Sequence, residues 1–340
     1  MKKKSLSAKN KNHNTVTNFL KDKFINSIYK KFEKNLVQER GYIVAVSGGP
    51  DSLALAYFAK CFSQFKKVNF YYYLVDHRLR KESSKEAKKT LDLLKKINVK
   101  CKVLIWKGKK PKSNIHHYAR IHRYDLVLKN CKKMKINKLL LGHHQDDLIE
   151  NFFIRLFRGS GLKGLASFGA ESGLKEGNIK IIRPLINHEK SDLEYVSKKV
   201  FKFFINDPSN TDEKFTRSRI RNFLKTENFD LKKLKLTLKN LNKSDQAIEY
   251  YVKKNIDENC KYLIKKRKII LSENFFQNSE EIVFRSLNYI FTKISKKNYP
   301  PRGRKMLDLV LRINSKNFKK TTLGGCLIEK INKTVMIYKE

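Results

Sequence analysis

The sequence is poor in cysteine and lacks any long apolar run, and each shortage excludes a class of protein. Its five cysteines lie far apart and form no C-x-x-C pair, which argues against a zinc site, an iron–sulfur cluster and a disulfide framework. No apolar stretch approaches the roughly 20 residues that span a bilayer, and the opening MKKKSLSAKNKN lacks the apolar segment of a signal peptide. Scattered cysteines in odd number fit a reducing compartment. The five cysteines are Cys61, Cys101, Cys131, Cys260 and Cys326. From these features we expect a cytoplasmic protein with no membrane partner.

Acidic residues are also scarce: 32 Asp and Glu stand against 76 Lys and Arg, a formal net charge of +44. The chain is rich in Lys, Asn and Ile, as AT-rich coding would produce. Such a bias explains Lys in place of Arg, but it explains a shortage of acids less readily. The charge therefore predicts a polyanionic partner, most simply nucleic acid. With 340 residues, 40% of them hydrophobic, the chain is long enough for two or more globular domains.

Short apolar runs alternate with helical patterns through the first half of the chain. The runs cover 43–46, 69–75, 101–106 and 138–142, and the helical patterns cover 51–62, 82–97, 114–131 and 145–157. Strands about 30 residues apart with helices between them predict right-handed crossovers and a parallel, doubly wound α/β sheet. An amphipathic helix precedes them, with Leu20, Phe24, Ile28 and Phe32 at a spacing of four.

A turn with the sequence SGGPDS links the first apolar run to the first of these helices. Gly48 and Gly49 permit backbone angles and close approaches that a Cβ would block. The free N–H groups of a helix start, with the hydroxyls of Ser47 and Ser52, suit a phosphate. Asp51 suits a Mg²⁺ ion carried by polyphosphate. The turn is not a Walker A loop, because no Gly-Lys-Ser/Thr follows. An ordinary glycine turn with an Asp or Ser cap is the alternative.

Three polar clusters come directly after predicted strands: SGGPDS, DHRLR at 76–80 and GHHQDD at 142–147. Doubly wound sheets bind ligands at the carboxyl ends of their strands, so this placement predicts one ligand-binding crevice. His143 and Asp147 are four residues apart and Asp147 and Glu150 three apart, so one helix face can carry them all. Capping by solvent-facing side chains and a transition-metal cluster are the alternatives for the third cluster.

Two arginine pairs at helical spacing are further candidates for anion binding. Arg120 and Arg123 are three residues apart, and paired guanidinium groups can clamp a phosphate or a carboxylate. Arg217 and Arg221 are four apart, in a helix that follows a polar loop, and can grip an RNA phosphate. Surface ion pairing and a solvated helix face are the alternatives.

The pattern changes past residue 180. Residues 229–298 read as charged amphipathic helices, and the tail carries a helix after PPRGRK and two short strands joined at INKT. We expect Arg302, Arg304 and Lys305 of this tail to contact RNA phosphates. The predicted division is a basic disordered tail (1–18), a catalytic domain (19–225), a helical connector (226–298) and a small α+β carboxyl-terminal module that binds nucleic acid (299–340).

These segments together resemble a known family. SGGPDS alone is similar to the pyrophosphate-binding loop of the N-type ATP pyrophosphatases, the PP-loop superfamily. VDHRLR, ARIHRY, GHHQDDLIENFFIRLFRGSGLKGL, IIRPL, DPSNTDEKFTRSRIRN and LGGCLIEK resemble the tRNA(Ile)-lysidine synthetases in order and spacing, from about residue 40 to the end. Asn151 departs from the Thr that the family often has after the glutamate, and the basic amino-terminal tail is additional.

The resemblance implies a two-step ligation with ATP and Mg²⁺. ATP would adenylate the C2 carbonyl oxygen of the wobble cytidine in tRNA(Ile) with the anticodon CAU, and the ε-amine of free L-lysine would then displace AMP. It implies catalytic roles for Asp51, Arg123, His143, Asp147 and Glu150. It implies ATP binding by Ser47, Gly48, Gly49, Pro50, Asp51 and Ser52, with Asp51 also holding the metal, and lysine or substrate binding by Asp76, His77, Arg120, Arg123, Asp147 and Glu150. Which carboxylate acts as the base stays open.

Three other functions are alternatives. A tRNA thiolase of the same superfamily commonly carries C-x-x-C or paired catalytic cysteines, which this chain lacks. A small-molecule amide synthetase is disfavoured by the +44 charge and the Arg-rich additional segments. A non-catalytic RNA-binding protein on the same fold is disfavoured by the presence of Asp51, His143, Asp147 and Glu150.

Overall fold

The computed structural model divides the chain into two compact units, Met1–Lys235 and Leu236–Glu340. It describes residues 16–36, 39–79, 82–108, 115–166, 171–174, 179–205, 216–227, 229–263, 268–297, 300–315 and 317–340. Most of the predicted basic tail, residues 1–15, lies outside the described residues. No helix among those described is both long enough and apolar enough to cross a membrane.

The first unit is built on a six-stranded sheet with the order β3-β2-β1-β4-β6-β5. The strands are β1 (Gly41–Val46), β2 (Asn69–Asp76), β3 (Cys101–Ile105), β4 (Lys138–Leu140), β5 (Glu171–Leu174) and β6 (Ile179–Ile182). All neighbouring pairs are parallel except β5 and β6, which are antiparallel. The predicted parallel, doubly wound sheet is therefore confirmed, with β5 as an unpredicted edge strand.

Helices pack on both faces of this sheet, and β1 is therefore buried on both sides. Tyr42 and Val44 face one apolar cluster, which includes Leu53 and Phe58 of the first crossover helix, whereas Ile43 faces a second cluster with Leu139 of β4. The helices of the unit are α1 (Lys23–Lys34), α2 (Pro50–Lys66), α3 (Ser83–Lys95), α4 (Ile115–Met134), α5 (Gln145–Leu156), α6 (Leu162–Ala166), α7 (Lys190–Phe201) and α8 (Thr216–Thr226).

Helix α1 shows a small difference from the sequence prediction. The spacing-of-four pattern places Phe24 on the apolar face, but Phe24 is exposed. The buried face consists of Ile25, Ile28, Tyr29 and Phe32. A helix has 3.6 residues per turn, so a strict spacing of four drifts off the buried stripe.

The strand order places a switch point between β1 and β4, where the chain leaves the sheet in opposite directions. The loops after these two strands approach each other closely. A Cβ on Gly142, which follows β4, would lie 2.9 Å from the backbone of Asp51, so only glycine fits there. The fold thus brings the SGGPDS and GHHQDD segments together at the carboxyl edge of the sheet, where doubly wound sheets bind their ligands.

The second unit is built on a five-stranded antiparallel sheet with the order β7-β8-β11-β10-β9. Its strands are β7 (Cys260–Leu263), β8 (Lys268–Leu271), β9 (Lys320–Leu323), β10 (Cys326–Ile331) and β11 (Thr334–Lys339). Its helices are most of α9 (Leu231–Asn259), then α10 (Glu280–Ser295) and α11 (Gly303–Asn314). One apolar cluster, with Leu287 and Phe291 of α10 and Ile328 and Ile337 of the sheet, holds the unit together.

The predicted strand pair joined at INKT is present as β10 and β11, which pair in register from Ile331 and Thr334. The prediction of helices throughout the connector (226–298) is wrong at β7 and β8. Both strands have only four residues, too short for a period to be read. Besides β7, β8 pairs with a strand 64 positions later in the chain, where Leu271 lies opposite Val335. The structure also joins residues 236–340 in one unit, so the separate module at 299–340 stays a prediction.

Candidate active site

The SGGPDS turn forms a compact loop at the amino terminus of α2, closed by Ser52. The backbone N–H groups of Ser47 and Gly48 donate to Ser52 Oγ at 3.1 and 3.2 Å, and that hydroxyl donates to the Gly49 carbonyl at 3.0 Å. Gly48 has φ = +89°, which disfavours any other residue. Pro50 starts the helix, where its missing N–H costs nothing. A phosphate can therefore be held by a preformed turn and a helix N-terminus.

Asp51 lies in the first turn of α2 beside the histidine-rich segment. Its Oδ2 is 3.7 Å from His144 Nε2. Its Oδ1 is buried, with no hydrogen-bond partner among the described residues. Burial raises the pKa of Asp51 to about 6, and the nearby His144 opposes that rise. A buried carboxylate oxygen without a partner at the edge of a phosphate loop fits a hard cation such as Mg²⁺.

The transition-metal alternative for GHHQDD gains no support from the geometry. Within the described ranges, no group of three or more His, Cys, Asp or Glu side chains is arranged to hold a metal ion.

His144 occupies the centre of the acidic cluster and was not assigned a role from the sequence. It precedes α5, and its backbone N–H donates to Asp147 Oδ2 at 3.1 Å. Its Nε2 is 3.4 Å from the same Asp147 oxygen. Burial alone would lower the pKa of His144, but the carboxylates of Asp146, Asp147 and Asp51 outweigh burial and raise the pKa to about 9. His144 is therefore a buried imidazolium at neutral pH that holds the acids together.

His143 has the opposite electrostatic character to its neighbour. Arg183 Nε donates to His143 Nδ1 at 3.2 Å. Burial and the positive charge of Arg183 lower the pKa of His143 to about 4, although Asp147 opposes this. The imidazole is therefore neutral at pH 7, and because Nδ1 accepts, the ring proton lies on Nε2. Arg183 directly follows β6, within the segment IIRPL, and its burial was not indicated by the sequence.

Glu150 is paired with an arginine of α8. Arg221 makes a bidentate contact with the carboxylate: Nε donates a hydrogen bond to Oε1, and Nη2 donates one to Oε2 at 3.2 Å. Glu150 is almost completely buried. Burial raises its pKa, and the hydrogen bond and charge of Arg221 counteract this only in part. The negative charge of Glu150 on α5 is thus compensated by the guanidinium of Arg221 on α8.

Asp147 is the more acidic carboxylate of the pair. Burial would raise its pKa, but His144, His143 and Arg217 together hold the pKa below its usual range. Arg217 Nη1 lies 3.9 Å from Asp147 Oδ1. Arg217 and Arg221 thus face carboxylates, a contact that the sequence did not predict, and their proposed contact with RNA phosphates stays a prediction.

The cluster after β2 is organised around its own loop. Asp76 accepts hydrogen bonds from the Arg78 N–H at 3.0 Å and from Ser84 Oγ at 2.8 Å. Arg123 Nε on α4 donates to His77 Nε2 at 3.3 Å, and burial together with Arg123 lowers the pKa of His77 to about 4. The structure therefore joins His77 to Arg123, whereas Asp76 orders the entry to α3. Their predicted roles toward lysine stay predictions.

Arg120, the other arginine of the ARIHRY segment, is exposed on α4. Its guanidinium lies 5.6 Å from the ring centroid of Tyr124, a cation–π contact. Its positive charge also helps to lower the pKa of His143, by less than burial and Arg183 do. Arg120 therefore acts electrostatically on the cluster from outside it.

The chain is similar to a protein-family model and to several curated proteins. Residues 20–228 match the family model of the PP-loop domain. The curated tRNA(Ile)-lysidine synthase of Wolbachia pipientis wMel is 35% identical over 308 residues, which cover 87% of this chain and 70% of that protein. The one of Orientia tsutsugamushi (strain Boryong) is 33% identical over 313 residues, covering 87% and 69%. The chain belongs to the tRNA(Ile)-lysidine synthase family. It is thus an enzyme of the ligase class with an ATP-binding PP-loop domain.

Solved structures support the fold of this family member. The U34-tRNA thiolase NcsA from Methanococcus maripaludis, described with its [4Fe-4S] cluster, superposes with a TM-score of 0.53. The match covers 67% of this chain and 80% of the thiolase at 18% identity. At that identity the likeness shows a shared architecture and carries nothing about the reaction.

Proposed function

We propose that the chain ligates free lysine to C2 of the wobble cytidine in tRNA(Ile) with a CAU anticodon, consuming ATP and releasing AMP and pyrophosphate. The supporting observation is that Asp51, His143, Asp147 and Glu150 lie close together beside the phosphate loop, with Asp51 and Asp147 both near His144 and with electrostatic interactions joining Asp147 to His143 and Glu150, in a chain of this family. Three carboxyl groups with different pKa shifts and one neutral imidazole on one rim suit an adenylation followed by an amine displacement.

In the proposed first step, O2 of the cytidine attacks the α-phosphorus of ATP, an O–P bond forms, and pyrophosphate leaves. The loop Ser47–Gly49 and the amino terminus of α2 would hold the departing pyrophosphate. Asp51 would hold Mg²⁺ through its unpartnered oxygen, and the ion would supply charge neutralisation. His143, neutral with a proton on Nε2, and Arg123 can donate hydrogen bonds to the charge that develops on phosphate oxygens.

In the proposed second step, the ε-amine of lysine attacks C2, a C–N bond forms, and the C2–O2 bond breaks as AMP leaves. An ammonium group cannot attack, so a base must first remove one proton. The opposite pKa shifts of the two carboxylates suggest separate roles: Asp147, whose pKa is lowered, would bind the ammonium, and Glu150, whose pKa is raised by burial, would take the proton.

The expected cytoplasmic location of this reaction remains a prediction.

The function is tested by incubating the protein with bulk tRNA, isotope-labelled lysine and ATP. Label should enter tRNA only when ATP is present, and nuclease digestion should locate it at the wobble cytidine of one isoleucine tRNA. Sulfur incorporation instead of lysine would favour a thiolase. Binding of tRNA without any incorporation would favour a non-catalytic RNA-binding protein.

The five cysteines are expected to be dispensable. All are free thiols, and burial raises the pKa of each, to about 11 for Cys131 and Cys326 and about 12 for the other three. A protonated thiol is a poor nucleophile. Replacing all five with Ala or Ser should leave lysine incorporation above roughly a tenth of wild type, a barrier change of at most ~1.4 kcal/mol. Loss of activity with retained circular dichroism would revive the thiolase hypothesis.

The basic start of α11 is expected to contact the tRNA backbone. Arg302, Arg304 and Lys305 are all exposed. Replacing the three with Ala should raise the KM for tRNA, leave ATP binding unchanged, and flatten the plot of log Kd against log salt by up to ~0.9 per lost phosphate contact. The same triple substitution at Lys319, Lys320 and Lys333 controls for net charge alone. An unchanged slope would mean that α11 only packs within its unit.

A further inference from the structure

The second unit contains a cavity of about 250 Å³, lined only by residues of that unit. Its floor is apolar and consists of Ile256, Ile269 and Ile290, of which Ile269 and Ile290 are almost completely buried. The other lining residues are Asp257, Cys260, Tyr262, Tyr289 and Lys293. An apolar floor with a few polar groups around it is the usual design of a ligand pocket.

Two exposed tyrosines frame this cavity. Tyr262 on β7 is 42% exposed and Tyr289 on α10 is 51% exposed. The ammonium of Lys293, one turn after Tyr289, lies 4.8 Å from the ring centroid of Tyr262 and 5.8 Å from that of Tyr289. A cation shared by two rings restrains both of them at the mouth of the cavity. The rings are therefore held in place before any ligand arrives, which lowers the entropic cost of binding.

Size and charge limit what can enter. Drug-sized ligands occupy pockets of about 300–1,000 Å³, so this smaller cavity suits one planar ring system. Residues 236–340 carry 23 Lys and Arg against 10 Asp and Glu, which attracts polyanions. An unpaired nucleotide of an RNA satisfies both conditions, because its base is a flat ring and its backbone is an anion. Aromatic side chains beside cations are how proteins take up unstacked bases.

We propose that this tyrosine pocket (Asp257, Tyr262, Tyr289 and Lys293 over the three isoleucines) binds one unpaired base of the tRNA substrate. The inference rests on the proposed function for the identity of the RNA. The base stacks against Tyr262 and Tyr289 above the isoleucine floor. Asp257, a pure acceptor when ionised, receives an N–H from the base edge. Lys293 exchanges its ring contacts for the backbone phosphate of the same nucleotide.

Binding of a CAU-anticodon tRNA(Ile) transcript, measured by filter binding without ATP or lysine, tests the pocket. Tyr262→Ala and Tyr289→Ala should each raise the Kd by about tenfold, a typical loss for one base–aromatic stack, whereas Tyr289→Phe should bind like wild type. Tyr250→Ala is the matched control, because Tyr250 is 65% exposed in the same unit but does not line the cavity. The tyrosine variants should keep the wild-type salt dependence, and Lys293→Ala should reduce it.

Ultraviolet cross-linking of the wild-type complex gives a readout that does not depend on how the variants fold. Peptide mapping should find RNA attached at Tyr262 or Tyr289. Cross-links confined to other residues would overturn the proposal, as would an unchanged Kd in both alanine variants or an equal loss in Tyr250→Ala. Binding is measured apart from catalysis, so the two hypotheses fail separately. A wild type that binds tRNA through these tyrosines but incorporates no lysine would refute the function and leave the pocket standing.

Discussion

Replacing Asp51 with alanine is expected to lower tRNA-dependent pyrophosphate release by at least about 100-fold, equivalent to roughly 2.7 kcal/mol of transition-state stabilisation. The physical reason is that Oδ1 of Asp51 has no hydrogen-bond partner within the part of the chain that the structure describes, so it is available to a cation beside the phosphate loop. Without it, a Mg²⁺ ion on the polyphosphate loses its protein ligand. The measurement is pyrophosphate release at saturating tRNA, ATP and Mg²⁺.

The same substitution should leave the fold and tRNA binding intact. Burial raises the pKa of Asp51 above its usual value, so ionised Asp51 opposes folding at every pH above that usual value, most fully above pH 6. Removing the carboxyl therefore costs no stability at pH 7, and the Tm should stay equal or rise. Asp51→Asn, which keeps the shape but not the charge, should be as inactive as Asp51→Ala. Near-normal pyrophosphate release in either variant would refute the metal role.

The parallel sheet was predictable from the sequence because local signals agreed with one another. The run 43–46 lies within β1, and 69–75 lies within β2. Buried parallel strands need continuous apolar residues, and the helices between them need long amphipathic patterns, so the two periods are hard to confuse. The crevice followed from the same reasoning, since polar clusters after neighbouring parallel strands must share one edge.

The electrostatics of the site were not predictable from the sequence. His143 and His144 are adjacent in the chain, yet burial beside Arg183 lowers the pKa of the first and three carboxylates raise the pKa of the second. The ion-pair partner of Glu150 is Arg221, which lies 71 residues further along the chain. A local pattern shows which residues share a helix face, but not which distant charge the fold packs against that face. The doubled histidine before two aspartates was the one signal that could have pointed to His144.

The hairpin of β7 and β8 was missed for a different reason. Its strands have four residues each, and each strand contains one lysine. Such a segment is stabilised by pairing with β11, where Ile269 lies opposite Ile337. Pairing with a distant strand can override a weak local preference for secondary structure, and the local sequence pattern does not show which distant strand will pair.

Removing Arg221 is expected to destabilise the first unit more than removing its partner Glu150. The side chain of Glu150 is 2% exposed, whereas that of Arg221 is 25% exposed. Arg221→Ala leaves a buried carboxylate unpaired and should lower the free energy of unfolding by about 3 kcal/mol, the usual cost of breaking a buried ion pair from one side. Glu150→Gln should cost less, because the freed guanidinium can turn toward water. The double variant Glu150→Gln/Arg221→Ala should recover much of the loss. Urea denaturation of the three variants measures this.

The pH dependence of the Arg221→Ala loss identifies its cause. Without the guanidinium of Arg221, the pKa of Glu150 rises further, because burial and the charge of Asp147 raise it and only the charge of Arg217 still opposes them. A carboxyl group with a raised folded-state pKa opposes folding above its unfolded value, near 4.5 here, and this penalty disappears as the pH falls below that value. The deficit relative to wild type should therefore be large at pH 8 and small at pH 4. Arg217→Ala is the matched control: the Arg217 side chain is 38% exposed and its Nη1 lies 3.9 Å from Asp147 Oδ1, so this substitution should cost less than about 1 kcal/mol. An Arg221→Ala deficit that is equal at both pH values would mean that lost packing, not an unpaired carboxylate, destabilises the variant.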